Sequence, residues 1–293
     1  MKNLIQRFIY KLIPDCLKIS YYKLSGKRPW SKGYSTFKFR YIKKAINNQE
    51  IMKRFKNSEP LPGGYGYALD DRAIEYPWVL SRISSSNSDN LLDAGSSLNF
   101  KEILEYNSLK NKKITIVNLN PESNCFWQKG VSYVFADIRK LPFKDNHFDY
   151  ITCISTLEHI GMDNILYTKN QKYREKKIFD FEKAVKELKR VLKEGGKLFI
   201  TLPFGRYQNF GRFQQFDSKL VSRVLEVFQP RKCQVNYYKY TREGWNISNE
   251  KECKDAEYFD IYKTKYFDKK SSLDFDLDFA AASRAVACLE QIK

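Results

Sequence analysis

With 293 residues, 42% of them hydrophobic and 15% aromatic, the chain has enough apolar mass for one large domain, or one domain with a substantial extension, and is not composed like a disordered segment. No run approaches the roughly 18 consecutive apolar residues that span a bilayer, and Lys and Arg interrupt every apolar stretch near the start, so neither a membrane span nor a secretory signal is expected. The net charge of +18 is uneven: residues 1–60 carry 15 Lys plus Arg against 3 Asp plus Glu, a net of +12, which describes a basic arm ahead of a nearly balanced body. The six cysteines are scattered with no CxxC pair, which speaks against a zinc knuckle or disulfide scaffold and for reduced thiols in the cytoplasm.

Residues 2–13 read as an amphipathic helix ended by Pro14, with Leu4, Ile5, Phe8, Ile9, Leu12 and Ile13 on one stripe and Lys2, Arg7 and Lys11 off it. Such a helix either lies in an anionic membrane interface, gaining about 1 kcal/mol per cation, or packs on its own domain or a sister subunit; residues 1–25 are the expected membrane contact, and a homodimer is the other partner left open. Residues 27–50 continue as a basic, aromatic connection and a further helix, and Gly63-Gly64-Tyr65-Gly66 breaks the chain. The expected division is therefore a basic amphipathic extension over 1–62 and a main domain over 63–293. Asp70–Leu80 suggests a helix interrupted or kinked at Pro77.

From residue 90 strand and helix alternate. Strands are expected at Leu91–Ala94, Lys113–Leu119, Val131–Phe135, Tyr150–Ile154 and Lys197–Pro203, with helices at Lys101–Tyr106 and Ile178–Leu192, the latter stopped by Glu194-Gly195-Gly196. Short connections between alternating elements are the signature of a doubly wound, mostly parallel sheet with helices on both faces. In such sheets ligands bind beyond the carboxyl ends of the strands. Here the first strand runs into Asp93-Ala94-Gly95-Ser96-Ser97, a small-residue turn that lets backbone approach a ligand closely. Asp137 follows the third strand, Leu141-Pro142-Phe143 and Asp145-Asn146-His147-Phe148-Asp149 lead into the fourth, and Gly195-Gly196 precedes the fifth. A dinucleotide-binding dehydrogenase would want three glycines in the first turn, where only Gly95 stands.

This ordered series, over roughly residues 88–204, resembles the class I S-adenosylmethionine-dependent methyltransferases. The resemblance implies a Rossmann-like fold with a seven-stranded mostly parallel sheet and S-adenosylmethionine as cofactor; no metal ligands are expected. By position it implies that Ala94, Gly95 and Ser96 line the methionine and sugar portion, and that Asp93 faces the methionine amino group. It further implies that Asn118 reaches the ribose hydroxyls, that Asp137 with Ile138 holds the adenine edge, and that Leu119 and Ser155 complete the wall. Where the family usually has an acid at the end of the second strand this chain has Asn118, which hydrogen-bonds a diol without charge assistance; Ser97 and Asn99 replace later glycines. A further resemblance is carried by Lys27-Arg28-Pro29-Trp30-Ser31-Lys32-Gly33-Tyr34, Gly64-Tyr65-Gly66-Tyr67, Ile154–Gly161, Leu202-Pro203-Phe204-Gly205 and Arg284–Glu290. It is to bacterial methyltransferases of surface-polysaccharide gene clusters, such as those for capsule or O-antigen, and implies O-methylation of a sugar or glycan, in the cytoplasm or peripherally at the inner face of the plasma membrane.

Methyl transfer to a hydroxyl needs an in-line nucleophile and a group to take its proton. His159, just after the fourth strand and beside Glu158, is the candidate base or substrate contact; the pair alternatively begins the next segment and bonds its backbone, or helps hold a divalent ion. His147 reads as a surface-loop residue. Asp163–Lys177 is placed to form a lid, and Gly205–Phe216, with Arg206, Tyr207, Arg212, Gln214 and Gln215, to meet a polar or acidic sugar. Trp245 and the Tyr237, Tyr238 and Tyr240 cluster suit either a pyranose stack or the core. Two other functions compete: a nucleic-acid methyltransferase, consistent with the charge but lacking the NPPY-like and Pro-Cys motifs, so that no nucleic acid is expected; and a non-catalytic, cofactor-binding scaffold of a membrane-bound glycan assembly complex. A small-metabolite enzyme of lipid or quinone type is the remaining alternative.

Overall fold

The computed structural model describes residues 10, 12–85, 88–275 and 282–293. The helix expected over 2–13 lies, but for residues 10, 12 and 13, outside the described residues. Four helices come first: α1 (Asp15–Leu24), α2 (Tyr34–Ile46), α3 (Gln49–Asn57) and α4 (Arg72–Leu80). Pro77 sits inside α4 rather than ending it, and every residue of α4 from Ala73 to Leu80 is buried. The strands β1 (Asn90–Ala94), β2 (Lys113–Asn118), β3 (Ser132–Phe135), β4 (Phe148–Ile154) and β5 (Leu192–Pro203) follow, with the single-turn helix α5 (Lys101–Leu104) after β1, two residues shorter than expected. A second single turn, α6 (Ile165–Thr168), and the longer α7 (Phe181–Val191) lie between β4 and β5. The rest comprises a two-residue ladder of β6 (Gln208–Asn209) with β7 (Gln214–Gln215), then α8 (Ser218–Phe228), β8 (Lys232–Thr241), β9 (Gly244–Ser248), α9 (Glu250–Cys253) and β10 (Ala285–Ile292).

Eight strands form the main sheet, in the order β3-β2-β1-β4-β5-β10-β8-β9. The first five neighbours pair in parallel, and β10, β8 and β9 add antiparallel pairs. The expectation of seven strands is corrected by the β8–β9 hairpin, whose edge strand β9 starts at Gly244 with a left-handed φ of +93°. A Cβ at Gly244 would stand 2.5 Å from the Tyr65 carbonyl oxygen, so only glycine lets the hairpin close against the 62–66 loop. This hairpin also decides between the pyranose-stack and core readings for three of the four aromatics. Tyr238, Tyr240 and Trp245 are buried, and the Trp245 indole N–H donates to the Leu69 carbonyl at 2.9 Å. The hairpin is amphipathic with period two, and its aromatic face fills the core.

The same alternation sorts the sheet's two faces. Phe199, Val286 and Cys288 face a cluster that holds Ile42, Phe55, Trp78 and Val79 from α2, α3 and α4. Leu198, Ile200, Ala285, Ala287 and Leu289 face a second cluster with α7 and α8. In α7 the buried residues Phe181, Ala184, Val185, Leu188 and Val191 recur at the helical period, and the helix stops at Val191 as β5 begins. The stretch 34–57, basic in sequence, thus packs its apolar face on the same core as the sheet. That places α2 and α4 over the carboxyl ends of β1, β4 and β5.

Candidate cofactor and acceptor site

A cavity of about 550 Å³ opens at the carboxyl ends of β1 to β4, within the range of about 300–1,000 Å³ usual for small-molecule sites. Its floor is the sheet side: Gly95, Ser96 and Ser97 after β1, Asn118 to Glu122 after β2, Asp137 and Ile138 after β3, and Ser155, Thr156, His159 and Ile160 after β4. Its roof is the N-terminal side, with Trp30, Ser35, Lys38 and Phe39 around α2 and Arg72 and Tyr76 on α4. Seven of the nine residues expected to hold the cofactor wall this one space, together with His159.

The β1 turn is held from below. Gly95 has φ +112° and Ser96 +63°, and a Cβ on Gly95 would stand 2.1 Å from Thr156 Oγ1. Asp93 and Ala94 are fully buried and do not wall the cavity among the described residues. Asp93 instead accepts from the Leu98 amide at 2.7 Å and from the Thr152 hydroxyl at 3.0 Å, and burial pushes its carboxyl up to about 7. It shapes the turn that faces the ligand. Asp137 lines the cavity. Burial would raise its carboxyl, but Arg139, bound through Nε and Nη2 with the closest contact at 2.6 Å, holds it below the usual carboxylate range. Nη1 of Arg139 reaches Asp180 at 2.7 Å and Glu175 at 3.0 Å, so the acid after β3 is fixed from α7's side.

Sequence reasoning missed the acid at the second strand. Glu122 lies four residues past Asn118, and its carboxylate accepts from the Ser96 hydroxyl at 2.9 Å, the Asn99 amide at 3.1 Å and the Asn118 amide. One exposed carboxylate thus gathers the β1 and β2 turns at the cavity wall, next to an Asn118 side chain whose oxygen accepts from the Leu119 N–H at 2.8 Å. The signal was present in Asn118-Leu119-Asn120-Pro121-Glu122: a Pro-containing turn swings an acid back toward the strand end. Nothing in the local sequence says that it reaches Ser96.

The roof is joined to the floor by buried charge. Glu75, with no exposed surface, accepts from the Ser155 and Thr201 hydroxyls at 2.6 Å each and pairs with Arg72. Ser155 itself has a left-handed φ of +38°, so its backbone turns into the cavity while its hydroxyl is committed to Glu75. Lys38 pairs with Asp70 at 2.6 Å, both buried, and its ammonium lies 4.6 Å from the Trp30 ring centre. The Tyr76 hydroxyl donates to the Ser97 carbonyl at 2.6 Å, tying α4 directly to the β1 turn. Asp71, at the start of α4, is pushed up to about 8, by burial first and then by the nearby Glu75.

Glu158 and His159 are separated by their surroundings. Glu158 is 3% exposed and does not wall the cavity, and burial raises its carboxyl well above the usual range. His159 does wall the cavity. Its Nδ1 lies 2.8 Å from the Arg212 carbonyl oxygen, which only accepts, so Nδ1 carries the proton and Nε2 keeps a lone pair. Burial lowers the imidazole to about 4, so it is neutral near pH 7. The segment Gly205–Phe216 acts here through its backbone: Gln214 and Gln215 are buried in the β6–β7 ladder, and Arg212 pairs with Asp260 at 2.9 Å. Of the expected lid, Asn164 and Tyr167 reach the cavity. His147 does not wall it and stands beside Phe143 and Phe148.

A doubly wound sheet with a cavity across the carboxyl ends of its first four strands is the arrangement in which open α/β proteins hold their ligands. Residues 92–200 match the family model described as a methyltransferase domain. Among similar proteins, an uncharacterized protein of Methanocaldococcus jannaschii is 35% identical over 98 residues, 32% of this chain and 35% of that one. The ubiquinone/menaquinone biosynthesis C-methyltransferase UbiE of Psychromonas ingrahamii is 31% identical over 144 residues, 45% of this chain and 49% of that one. The chain therefore spans half or less of the length of these two relatives. Among solved structures, the 1,6-didemethyltoxoflavin-N1-methyltransferase of Burkholderia thailandensis, with 1,6-didemethyltoxoflavin and S-adenosylhomocysteine bound, superposes with a TM-score of 0.41 at 11% identity, covering 73% of this chain and 81% of that one. A SAM-dependent methyltransferase of Thermotoga maritima gives 0.43 at 14% identity, covering 87% and 100%.

Proposed function

We propose that this chain transfers the methyl group of S-adenosylmethionine to a hydroxyl of a sugar in bacterial surface-polysaccharide synthesis, at the inner face of the membrane. The observation that carries the methyltransferase reading is the single cavity in which the small-residue β1 turn, the β2 and β3 strand ends and His159 meet. The donor set fits the cofactor. Leu119 and Ile138 offer apolar contact for the base, and Asp137 an acceptor for its amine. Asn118 and Glu122 offer hydrogen bonds for the ribose hydroxyls, and Lys38 and Arg72 cationic side chains on the roof for the methionine carboxylate. When bound, the cofactor supplies an electrophilic methyl group on a sulfonium.

The chain's own residues then orient and deprotonate the acceptor. With Nδ1–H held by the Arg212 carbonyl, Nε2 of His159 accepts the hydrogen bond of the attacking hydroxyl and takes its proton as the new bond forms. A group lowered to about 4 is a weak base, so most of its contribution is alignment of the nucleophile. The sugar is supported by the sequence resemblance across Lys27–Tyr34, Ile154–Gly161 and Arg284–Glu290. The relatives named C-methyltransferases make a carbon acceptor the second reading.

Transfer of radiolabelled methyl to glycan fractions from cells lacking this chain tests the acceptor, with the labelled product hydrolysed and its methylated atom identified by NMR. A methyl ether on a sugar carries the proposal, and label on a quinone ring carbon overturns the acceptor while keeping the enzyme. Calorimetric titration tests the cofactor separately; no binding at millimolar S-adenosylmethionine makes the chain a scaffold. His159→Ala is expected to abolish turnover and leave cofactor affinity within about twofold, because the roof and floor contacts persist. Retained turnover removes His159 from the mechanism.

A further inference from the structure

Helix α1 buries one face and presents another. Ile19 and Tyr22 are buried, Tyr22 against Tyr34, Leu69 and Ala73. At 3.6 residues per turn, Leu17, Tyr21 and Leu24 recur at i, i+4 and i+7 on the side directly opposite. They are 59%, 55% and 89% exposed, and Leu12, just ahead of the helix, is 69% exposed. Apolar residues scattered singly on a surface need no account, but a continuous stripe opposite a buried face does. The charge around it has one sign. Residues 12–32 carry Lys18, Lys23, Lys27, Arg28 and Lys32 against the single acid Asp15, which is paired with Lys18 at 3.0 Å. Lys23, Lys27, Arg28 and Lys32 are all exposed.

We infer that the outer face of α1 docks on an anionic lipid bilayer, with Leu17, Tyr21 and Leu24 entering the interface and the flanking cations meeting headgroups. An apolar stripe rimmed by cations matches the bilayer boundary, where acyl chains lie just below anionic headgroups. A second copy of the chain is the poorer occupant, since it would bring two surfaces of the same strong positive charge together. No helix among the described residues is long and apolar enough to cross a membrane, so the contact is at the interface. The inference rests on this surface and stands apart from the acceptor reading.

Flotation of the full chain with phosphatidylcholine–phosphatidylglycerol vesicles, against phosphatidylcholine alone, tests it. The full chain is expected to float with the anionic vesicles and progressively less as salt is raised. The triple variant Leu17→Ser, Tyr21→Ser, Leu24→Ser is expected to lower partitioning by roughly tenfold or more at an unchanged melting temperature. The charge reversal Lys23→Glu with Arg28→Glu is expected to weaken it without touching the apolar stripe. Absence of flotation by the full chain overturns the inference, as does a folded triple variant that floats as well as the unchanged protein. A dimer that the triple variant abolishes, with no flotation, assigns the face to a second copy instead.

Discussion

The two walls of the cavity are built differently. The floor is made of short turns, each contiguous in sequence at a strand end, and it presents backbone and small polar groups. The roof draws Trp30, Lys38, Arg72 and Tyr76 from nearly fifty residues of chain and is held by buried ion pairs, Lys38 with Asp70 and Arg72 with Glu75. A strand end is positioned by its ladder whatever the turn's sequence, so the floor tolerates changes such as Asn118 for an acid. The roof keeps its place only while its buried charges stay paired, because an unpaired buried charge costs far more than a paired one returns.

The largest effect is therefore expected in the roof. Glu75→Ala leaves Arg72 and the Ser155 and Thr201 hydroxyls without their acceptor and is expected to destabilise the fold by about 3–5 kcal/mol, seen as a lowered midpoint in urea; a loss under 1 kcal/mol would place the roof's stability elsewhere. Next is a floor position with no room for a side chain. Gly95→Ala forces a Cβ into Thr156 at a φ that side chains rarely adopt, and about 1–3 kcal/mol of stability with at least tenfold of cofactor affinity is expected to go. The double variant Gly95→Ala, Thr156→Ala tests the cause, since removing the Thr156 hydroxyl and methyl, which a Gly95 Cβ would meet at 2.1 and 2.4 Å, should recover part of both.

Smaller effects sharpen the contrast within the floor. Glu122→Gln keeps the shape and removes the charge that gathers Ser96, Asn99 and Asn118, so cofactor affinity is expected to fall about tenfold, in line with the loss of a charge-assisted hydrogen bond; calorimetry that finds no change would leave Asn118 as the sole ribose contact. The smallest effect is a pH dependence. Asp93 is raised to about 7 in the fold, so the folded state holds its proton more tightly than the unfolded chain. Its stabilising contribution is full below the ordinary carboxylate range and is lost as pH rises through about 7. Melting temperature should therefore fall between pH 5 and 8 by more in the unchanged protein than in Asp93→Asn, at about 2–4 °C per kcal/mol. His159 has the opposite shift, lowered to about 4, so kcat/KM should show no step near pH 6.5 from this residue.

Much of the floor could be read from sequence, and the reason lies in its construction. All five core strands were placed by apolar runs, and Gly95, Asn118, Asp137 and Ser155 lie at their ends because a parallel sheet puts its ligand there. Asp93 was legible as a strand-end acid, but its direction was not: the turn folds back so that Leu98 and Thr152 take its carboxylate. Trp245 and Tyr238 were legible as hairpin aromatics, but which face of the edge strands meets the core depends on a sheet order that no local pattern encodes.

What the residues themselves determined was periodicity, turn chemistry and the order of strand ends, since each depends on neighbours within a few positions. What only the tertiary structure decided was pairing at a distance: Glu75 on Ser155 and Thr201, Glu122 on Ser96, and Arg212's carbonyl on His159. The same division holds for the basic arm. Its charge and its amphipathic pattern are plain in the sequence, yet it took the packing of α1 and α2 to show that Lys38 closes over the cavity while Leu17, Tyr21 and Leu24 turn to solvent. Which side of a helix is buried is settled by whatever comes to lie against it.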